Sequence, residues 1–275
     1  MRPTSHGNAV IALCALSLAV SVVCCGCARL GTALQFRTSL EDRPSAKDIL
    51  ACLGSNDSAM KNLRATGTFR IRSPELGERQ FRGWLVYRRP ADLYIRGNHR
   101  LGTRLFEMTC AGERWVIDLP TENRQIRHTD GASFGNVPFN VSPLDIAKEM
   151  FFQEDWGGLD PEAVRLVKYN RRRQIAHIEI EKEHGLRREV EVRGNPWVVV
   201  RSKLYDRNDR LLVDTTRSEY REVEGIRLSA SIKSVFPGND AQMQFTLRKI
   251  RLNVPDLNDS LFAIEQSDDD TGTSN

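Results

Sequence analysis

The feature that most constrains how this chain can fold is a period-two alternation of apolar and polar side chains, which begins near Arg64 and recurs almost to the carboxyl end. In its first occurrence, Phe69 and Ile71 share one face of a strand, and the arginine that follows each of them lies on the other face. Such strands must cover their apolar face by packing together. The chain is therefore predicted to be mainly β.

About a dozen segments carry this strand pattern. The links between them are short and hold turn residues such as Arg89-Pro90 and Ala111-Gly112. Short links demand antiparallel neighbours, because a parallel crossover needs about a dozen residues or more. So many antiparallel strands form one large sheet that must curl over its apolar face. After the first, the predicted strands are Gln80–Arg88, Asp92–Arg96, Arg104–Cys110, Glu113–Leu119, Arg124–His128, Val164–Tyr169, Gln174–Glu181, Leu186–Val192, Trp197–Tyr205, Leu211–Tyr220, Ile226–Val235 and Gln242–Leu252.

A helix is predicted in front of the sheet. Ser45 is a typical helix N-cap, with Asp48 three residues further on. The apolar stripe that follows is broken at Gly54, and we expect the helix to resume through Met60 and Leu63. The members of the stripe are Ile49, Leu50 and Leu53.

A second helical pattern, Val141 to Gly158, interrupts the strands in the middle of the chain. Ser142-Pro143 resembles an N-cap and first turn, and Gly157-Gly158 ends the pattern. A curled sheet with helices lying across its opening is a container for apolar ligands, although many such sheets enclose only their own core. The residues at helical spacing are Leu144, Ala147, Met150 and Phe151.

The amino terminus has the order of an export signal: a charged start with Arg2, an apolar stretch from Ala9 to Val23, and then small residues and cysteines. It resembles a secretory lipoprotein signal, whose peptidase requires a small residue before the lipidated cysteine. Gly26 before Cys27 meets that requirement, so we expect cleavage there and lipid on Cys27. The alternatives are lipid on Cys24 or Cys25, which follow bulkier residues, and a plain membrane-spanning anchor.

Either anchor places the following domain outside the cytoplasm. Ala28, and not Asp, follows Cys27, which by the sorting rule of enteric bacteria points to the periplasmic face of the outer membrane rather than the inner membrane. The predicted organisation is a signal peptide over 1–26, a tether over 27–45, one domain over 46–264, and a disordered acidic tail over 265–275.

The mature domain retains two cysteines, Cys52 and Cys110. An oxidising periplasm allows a disulfide between them, and two buried thiols are the alternative. Spacing along the chain does not decide between these states.

The charge pattern and the missing motifs exclude several functions. The 40 Lys and Arg against 36 Asp and Glu leave a net charge of +4 spread along the chain, which argues against a nucleic-acid partner. There is no nucleophile elbow and no phosphate loop, and the histidines lack metal spacing, so we expect no enzyme, no cofactor and no metal site. The histidines are His6, His99, His128, His177 and His184.

Several short motifs, in this order and spacing, resemble the LolA/LolB family of periplasmic lipoprotein-sorting proteins. The resemblance covers Met60 to Ile264 and implies an open half barrel of about eleven strands with a helical lid. The motifs are Leu63-Arg64-Ala65-Thr66-Gly67, Gly83-Trp84-Leu85-Val86-Tyr87-Arg88-Arg89-Pro90 with Leu93, Leu101-Gly102, Cys110-Ala111-Gly112-Glu113-Arg114-Trp115 running on to Pro120, and Asp259-Ser260-Leu261-Phe262.

The lipidated cysteine places the chain on the LolB side of this family. The resemblance implies binding of lipid or lipoprotein acyl chains, acceptance of lipoproteins at the outer membrane from a soluble periplasmic carrier, and a hairpin leucine that inserts into the bilayer. Leu101 matches that leucine, and Arg100 and Arg104 beside it would meet lipid phosphates. A leucine buried in its hairpin is the alternative.

The candidate cavity lining consists of apolar and aromatic side chains on the first strands. Alternation does not determine which strand face points inward, because a shift of one residue exchanges the faces. The alternative function is that of a structural or envelope-assembly lipoprotein, whose half barrel is filled by its own side chains and which binds a protein partner. The candidates are Phe69, Ile71, Trp84, Val86, Phe106, Met108, Trp115 and Ile117.

Overall fold

The computed structural model of the protein describes residues 43–74, 77–99, 101–112, 114–128, 156, 159–182 and 185–264. Within these residues, thirteen strands form a single antiparallel sheet. The strands are β1 Asn62–Ser73, β2 Gly77–Arg88, β3 Asp92–Asn98, β4 Arg104–Ala111, β5 Arg114–Leu119, β6 Arg124–His128, β7 Val164–Asn170, β8 Ile175–Glu181, β9 Arg187–Arg193, β10 Val198–Tyr205, β11 Leu211–Val223, β12 Ile226–Phe236 and β13 Ala241–Leu252.

Each predicted strand is confirmed, with ends that differ by three residues or fewer. The count of eleven implied by the family resemblance is two too low. Every alternating segment finds an antiparallel neighbour here, including the short outermost strands β6 and β7. The mainly β, open-sheet fold class is thus confirmed.

The sheet order places the first and last strands together in the middle. β1 pairs with both β2 and β13, and β6 and β7 are the two edges of an unclosed sheet. The chain between β6 and β7 contains the predicted helix Val141 to Gly158, which lies outside the described residues except for Trp156. The helical lid, the signal over 1–26, most of the tether and the tail over 265–275 therefore remain predictions.

Helix α1 spans Ala46–Ser58, and its predicted N-cap is confirmed. The Asp48 N–H donates to Ser45 Oγ, and the Ser45 N–H donates to Asp48 Oδ2, both at 3.1 Å. The Ser45 hydroxyl also donates to Asp48 Oδ2, at 2.7 Å, and this bond and the one from the Ser45 N–H lower the pKa of Asp48 because they favour its charged form. The expected break at Gly54 is wrong: the helix continues through it, and Leu63 belongs to β1. Tertiary packing of the apolar stripe outweighs the weak helix propensity of one glycine.

One face of the sheet, here called the inner face, carries the apolar core. Its larger cluster joins β1–β5 to β11–β13 and includes Phe69, Leu85 and Trp115, which are almost fully buried. A second cluster lies on β7–β10, where Ile49 and Leu53 of α1 pack against it. Side chains across so many strands are buried on a single face, so the sheet curls around that face.

Three glycines lie opposite one another where β1, β2 and β3 run side by side. Gly67 pairs with Gly83, and Gly83 pairs with Gly97. A Cβ on Gly83 would lie 1.9 Å from the carbonyl oxygen of Arg96, and one on Gly97 would lie 2.3 Å from the Phe106 ring. Because the three residues of this glycine row have no Cβ, the neighbouring backbone and the Phe106 ring can come closer to them than to any other residue. Glycines in such positions permit a sheet to bend sharply.

The opposite face, here called the outer face, receives the carboxyl-terminal part of the domain. A short 3-10 helix, Asp259–Phe262, packs Phe262 against Val86 and Tyr94. The Arg88 guanidinium lies 4.5 Å from the centre of the Phe262 ring and forms an ion pair with Asp259. These contacts hold the end of the domain against β2 and β3.

Candidate functional site

The structure divides the eight predicted lining residues between the two faces. Six of them belong to the large cluster of the inner face: Phe69, Ile71, Phe106, Met108, Trp115 and Ile117. Trp84 and Val86 instead lie on the outer face with Tyr94, so they leave the candidate set. Alternation explains the division, because Leu85 and Tyr87 of β2 face inward.

Sequence reasoning missed the inward residues of β2, which are Phe81, Leu85 and Tyr87. The run from Trp84 to Tyr87 is apolar on both faces, so alternation carries no signal there. The pairing of Ala65 with Leu85 assigns the faces, since directly opposed residues lie on the same side of a sheet.

Four aromatic rings form an array on the inner face beside the glycine row. Phe69 stacks on Phe81 with ring centres 5.5 Å apart, and its other neighbour, Phe245, meets it edge-on at 5.3 Å. Phe106 meets Phe81 edge-on at 4.6 Å and covers Gly97. Met108 and Met243 belong to the same cluster; flexible methionines adapt to irregular apolar shapes.

A cleft of about 100 Å³ lies between α1 and the inner face. Pockets that enclose whole ligands usually measure about 300–1,000 Å³, so an acyl chain would have to displace lining side chains or the helix. The Asn56 side chain ties the end of α1 to the sheet through two 2.8 Å hydrogen bonds with the Arg227 backbone. The apolar lining is Leu53, Met60, Leu63, Trp156, Trp197, Val198, Val199, Ile226, Leu228, Ile232 and Leu247.

Tyr220 lines the same cleft and donates a hydrogen bond to the Val199 carbonyl. Burial disfavours its ionised form and raises its pKa from 10.0 to about 12. This group therefore stabilises the fold fully below pH 10, and its contribution is lost as the pH rises toward 12.

We expect a Tyr220→Phe variant to lose less stability at high pH than the unaltered protein. Between pH 8 and pH 11, the difference in the free energy of unfolding should change by about 1 kcal/mol in favour of the variant. Urea unfolding of both proteins at pH 8 and pH 11 measures this difference. Burial also raises the pKa of Tyr94 to about 12, but Tyr94 is present in both proteins and therefore does not affect the difference between them. Parallel losses in the two proteins would contradict the assignment to Tyr220.

The hairpin between β3 and β4 presents Leu101 to solvent with 88% of its surface exposed. The His99 N–H donates to the Thr103 carbonyl at 2.8 Å, and the Gly102 N–H donates to the His99 carbonyl at 2.9 Å. Gly102 has φ +90°, which favours glycine at this turn. The alternative of a buried hairpin leucine is thus wrong.

The basic residues beside this leucine differ from the expectation. Arg104 forms ion pairs with Glu107 at 3.0 Å and Asp118 at 3.4 Å, so its charge is engaged within the sheet. Arg100 lies outside the described residues.

Cys52 and Cys110 are not joined by a disulfide. Cys52 is half-buried in α1, whereas Cys110 is buried in β4 within the large cluster, where its Sγ donates to the Gly112 carbonyl at 3.5 Å. Cys110 thus belongs to the large cluster of the inner face, whereas Cys52 lies on α1, whose Ile49 and Leu53 pack in the second cluster.

The predicted lipid attachment at Cys27, and the alternatives at Cys24 and Cys25, lie outside the described residues. No helix in the described part of the chain is both long and apolar enough to cross a membrane.

Solved structures share this fold at low sequence identity. No protein-family model and no curated protein sequence matches the chain. A DUF1329 family protein from Desulfovibrio piger is 16% identical, with a TM-score of 0.55 over 79% of this chain and 95% of its own. A LolA superfamily protein from Nitrosomonas europaea is 12% identical, with a TM-score of 0.54 over 81% of this chain and 99% of its own.

An outer membrane lipoprotein-sorting protein domain from Vibrio parahaemolyticus is 11% identical, with a TM-score of 0.53 over 77% of this chain and 95% of its own. The chain therefore has a LolA-like fold, an open antiparallel sheet with an apolar inner face.

Proposed function

We propose that this protein is a lipid-anchored lipoprotein of the bacterial envelope that binds acyl chains of lipids or lipoproteins on its inner face. In this proposal the lipid on Cys27 holds it at the periplasmic face of the outer membrane, and a soluble carrier delivers the cargo. Transfer proceeds without covalent chemistry, so the protein is not an enzyme. Its role then corresponds to the LolB side of the family, in keeping with the fold shared with a lipoprotein-sorting domain.

The Leu101 hairpin carries this proposal. An exposed leucine at the tip of a tight turn can enter a bilayer at little cost, whereas in water its apolar surface is unfavourable. The strands that form the hairpin also supply Ile95 and Met108 to the inner face. An acyl chain leaving the bilayer beside Leu101 therefore meets apolar surface on the same two strands.

Acyl binding is tested with the mature chain carrying Cys27→Ser, so that no lipid of its own is attached. We expect the fluorescence of cis-parinaric acid to rise on binding. Met108→Gln should weaken binding severalfold because it places an amide in the apolar cluster, whereas Thr109→Gln, on the outer face of the same strand, serves as the control. Absence of binding to a protein with native circular dichroism would remove the proposal.

Lipid attachment at Cys27 can be tested separately from acyl binding. Mass spectrometry of the protein from membranes should find an amino-terminal Cys27 bearing a thioether-linked diacylglycerol and an acylated amine. A Cys27→Ser variant should retain its signal and lack both modifications. Lipid on Cys24 or Cys25, or an unmodified Cys27, would refute the assignment.

The close packing of the inner face supports a second candidate, a structural lipoprotein that binds a protein partner. Phe69, Leu85 and Trp115 are almost fully buried on this face, and the cleft beneath α1 measures only about 100 Å³. This function predicts that protein purified from its own membrane carries no lipid on the inner face. Co-purified acyl chains, detected by mass spectrometry after organic extraction, would argue against it.

A further inference from the structure

Two neighbouring hairpins project from the same end of the sheet. Strand β2 leads away from the β1–β2 turn, and β3 returns to that end, where the Leu101 turn joins it to β4. Asn98, three residues before Leu101, pairs directly with Arg82 of β2. The β1–β2 hairpin continues beyond this position for five further residue pairs, up to Ser73 opposite Gly77. Since each residue adds about 3.3 Å to a strand, this hairpin extends at least as far as the Leu101 turn, and a surface that receives Leu101 also meets the end of this hairpin.

The end of the β1–β2 hairpin is basic. From Arg70 to Arg82 the sequence contains four arginines and two glutamates. One of the arginines, Arg70, forms an ion pair with Glu78 at 3.4 Å. The other three, here called the hairpin arginines, are Arg72, Arg79 and Arg82. All three are exposed, and among the described residues no carboxylate forms an ion pair with them, so they present positive charge to solvent.

The hairpin arginines lie on both faces of the sheet. Arg79 is directly opposite Ile71, so it shares the inner face. Arg72 and Arg82 lie on the outer face, because each follows an inward residue in the sequence, Ile71 and Phe81 respectively. A folded protein partner would contact one face of the hairpin, whereas the head groups of a bilayer surround a hairpin that enters them end-on. The distribution of the arginines therefore favours a membrane surface over a protein.

We propose that the hairpin arginines bind the phosphates of anionic phospholipids when Leu101 enters the bilayer. The alkyl part of an arginine side chain lies along apolar surface and holds the guanidinium at the level of the phosphates, where it donates two parallel hydrogen bonds. At an anionic lipid surface, each such arginine increases the affinity about fivefold. This inference rests on the proposed function and specifies the membrane lipid: bilayers that contain phosphatidylglycerol in preference to bilayers without net charge.

The test measures sedimentation of the Cys27→Ser mature protein with sucrose-loaded vesicles of phosphatidylcholine, with and without phosphatidylglycerol. We expect binding to the anionic vesicles to be about tenfold tighter and to weaken as salt is added, because salt screens exposed charges. Arg72→Gln, Arg79→Gln and Arg82→Gln should each reduce the affinity for anionic vesicles about fivefold and leave binding to neutral vesicles unchanged. Leu101→Glu should weaken binding to both kinds of vesicle.

Arg251→Gln is the matched control, because Arg251 is an exposed arginine opposite Arg64, at the other end of the sheet. It removes the same charge and should leave the lipid preference intact. Equal binding of the Cys27→Ser protein to neutral and anionic vesicles would overturn the inference, and this comparison does not depend on any arginine variant folding. An equal loss in Arg251→Gln would also overturn it, since only net charge would then matter. Absence of binding to either kind of vesicle overturns it as well, and binding of cis-parinaric acid by the same sample then shows whether the proposed function itself stands.

Discussion

A Leu101→Glu variant is expected to take up acyl chains from vesicles roughly tenfold more slowly than the unaltered protein, while binding of the same chains from solution is unchanged. Full burial of a leucine side chain contributes about 1.5–3 kcal/mol, and a carboxylate at that position opposes entry into the bilayer. Leu101 is 88% exposed on its hairpin, so its side chain buries little surface in the fold. The substitution should therefore leave stability almost unaltered.

Stopped-flow transfer of cis-parinaric acid from vesicles of phosphatidylethanolamine and phosphatidylglycerol measures this rate. Val167→Glu is the matched control, because Val167 is the other large apolar side chain exposed in the described part of the chain, at 53%, and it lies on the distant edge strand β7. Equal slowing by both variants would indicate a general effect of added charge. An unchanged rate for Leu101→Glu would contradict the role of the hairpin.

Gly83→Ala is expected to lower the free energy of unfolding by about 3 kcal/mol or more. The added Cβ would lie 1.9 Å from the Arg96 carbonyl oxygen and 2.9 Å from its carbon, both of which belong to the backbone of the neighbouring strand. Relief requires β2 and β3 to separate where they pair, and that separation breaks ladder hydrogen bonds. Urea unfolding followed by circular dichroism measures the loss.

Gly238→Ala is the control for this substitution. A Cβ there would approach Arg210 Nη2 at 3.1 Å, the far end of a flexible side chain that can move away. We expect a change of less than about 0.5 kcal/mol at this surface position. Should Gly83→Ala behave like Gly238→Ala, the close approach across the glycine row would be wrong.

The elements of the fold could be predicted because their signals are local. Alternation located each strand, short links made them antiparallel, and the Ser45 cap with Asp48 located the start of α1. These signals depend on residues a few positions apart. The end of α1 was less predictable, since continuation through Gly54 depends on packing against the inner face.

The candidate site was only partly predictable. Six of the eight candidate residues share the inner face, but Trp84 and Val86 do not, because β2 is apolar on both faces and its pairing with β1 assigns them. The exposure of Leu101 was equally undetermined, since a hairpin tip can be covered by any distant part of the chain.

The sequence by itself determined a mainly β chain of consecutive antiparallel strands with one capped helix before them. The tertiary structure decided which face is inner, that three glycines face one another across β1, β2 and β3, and that three hydroxyl side chains face one another across β10, β11 and β12. Gly67 and Gly97 are neighbours of Gly83 only because of the strand register. In the same way, the register makes Ser202 and Ser234 neighbours of Thr215. Register depends on pairing between segments far apart in the chain, which local patterns do not encode.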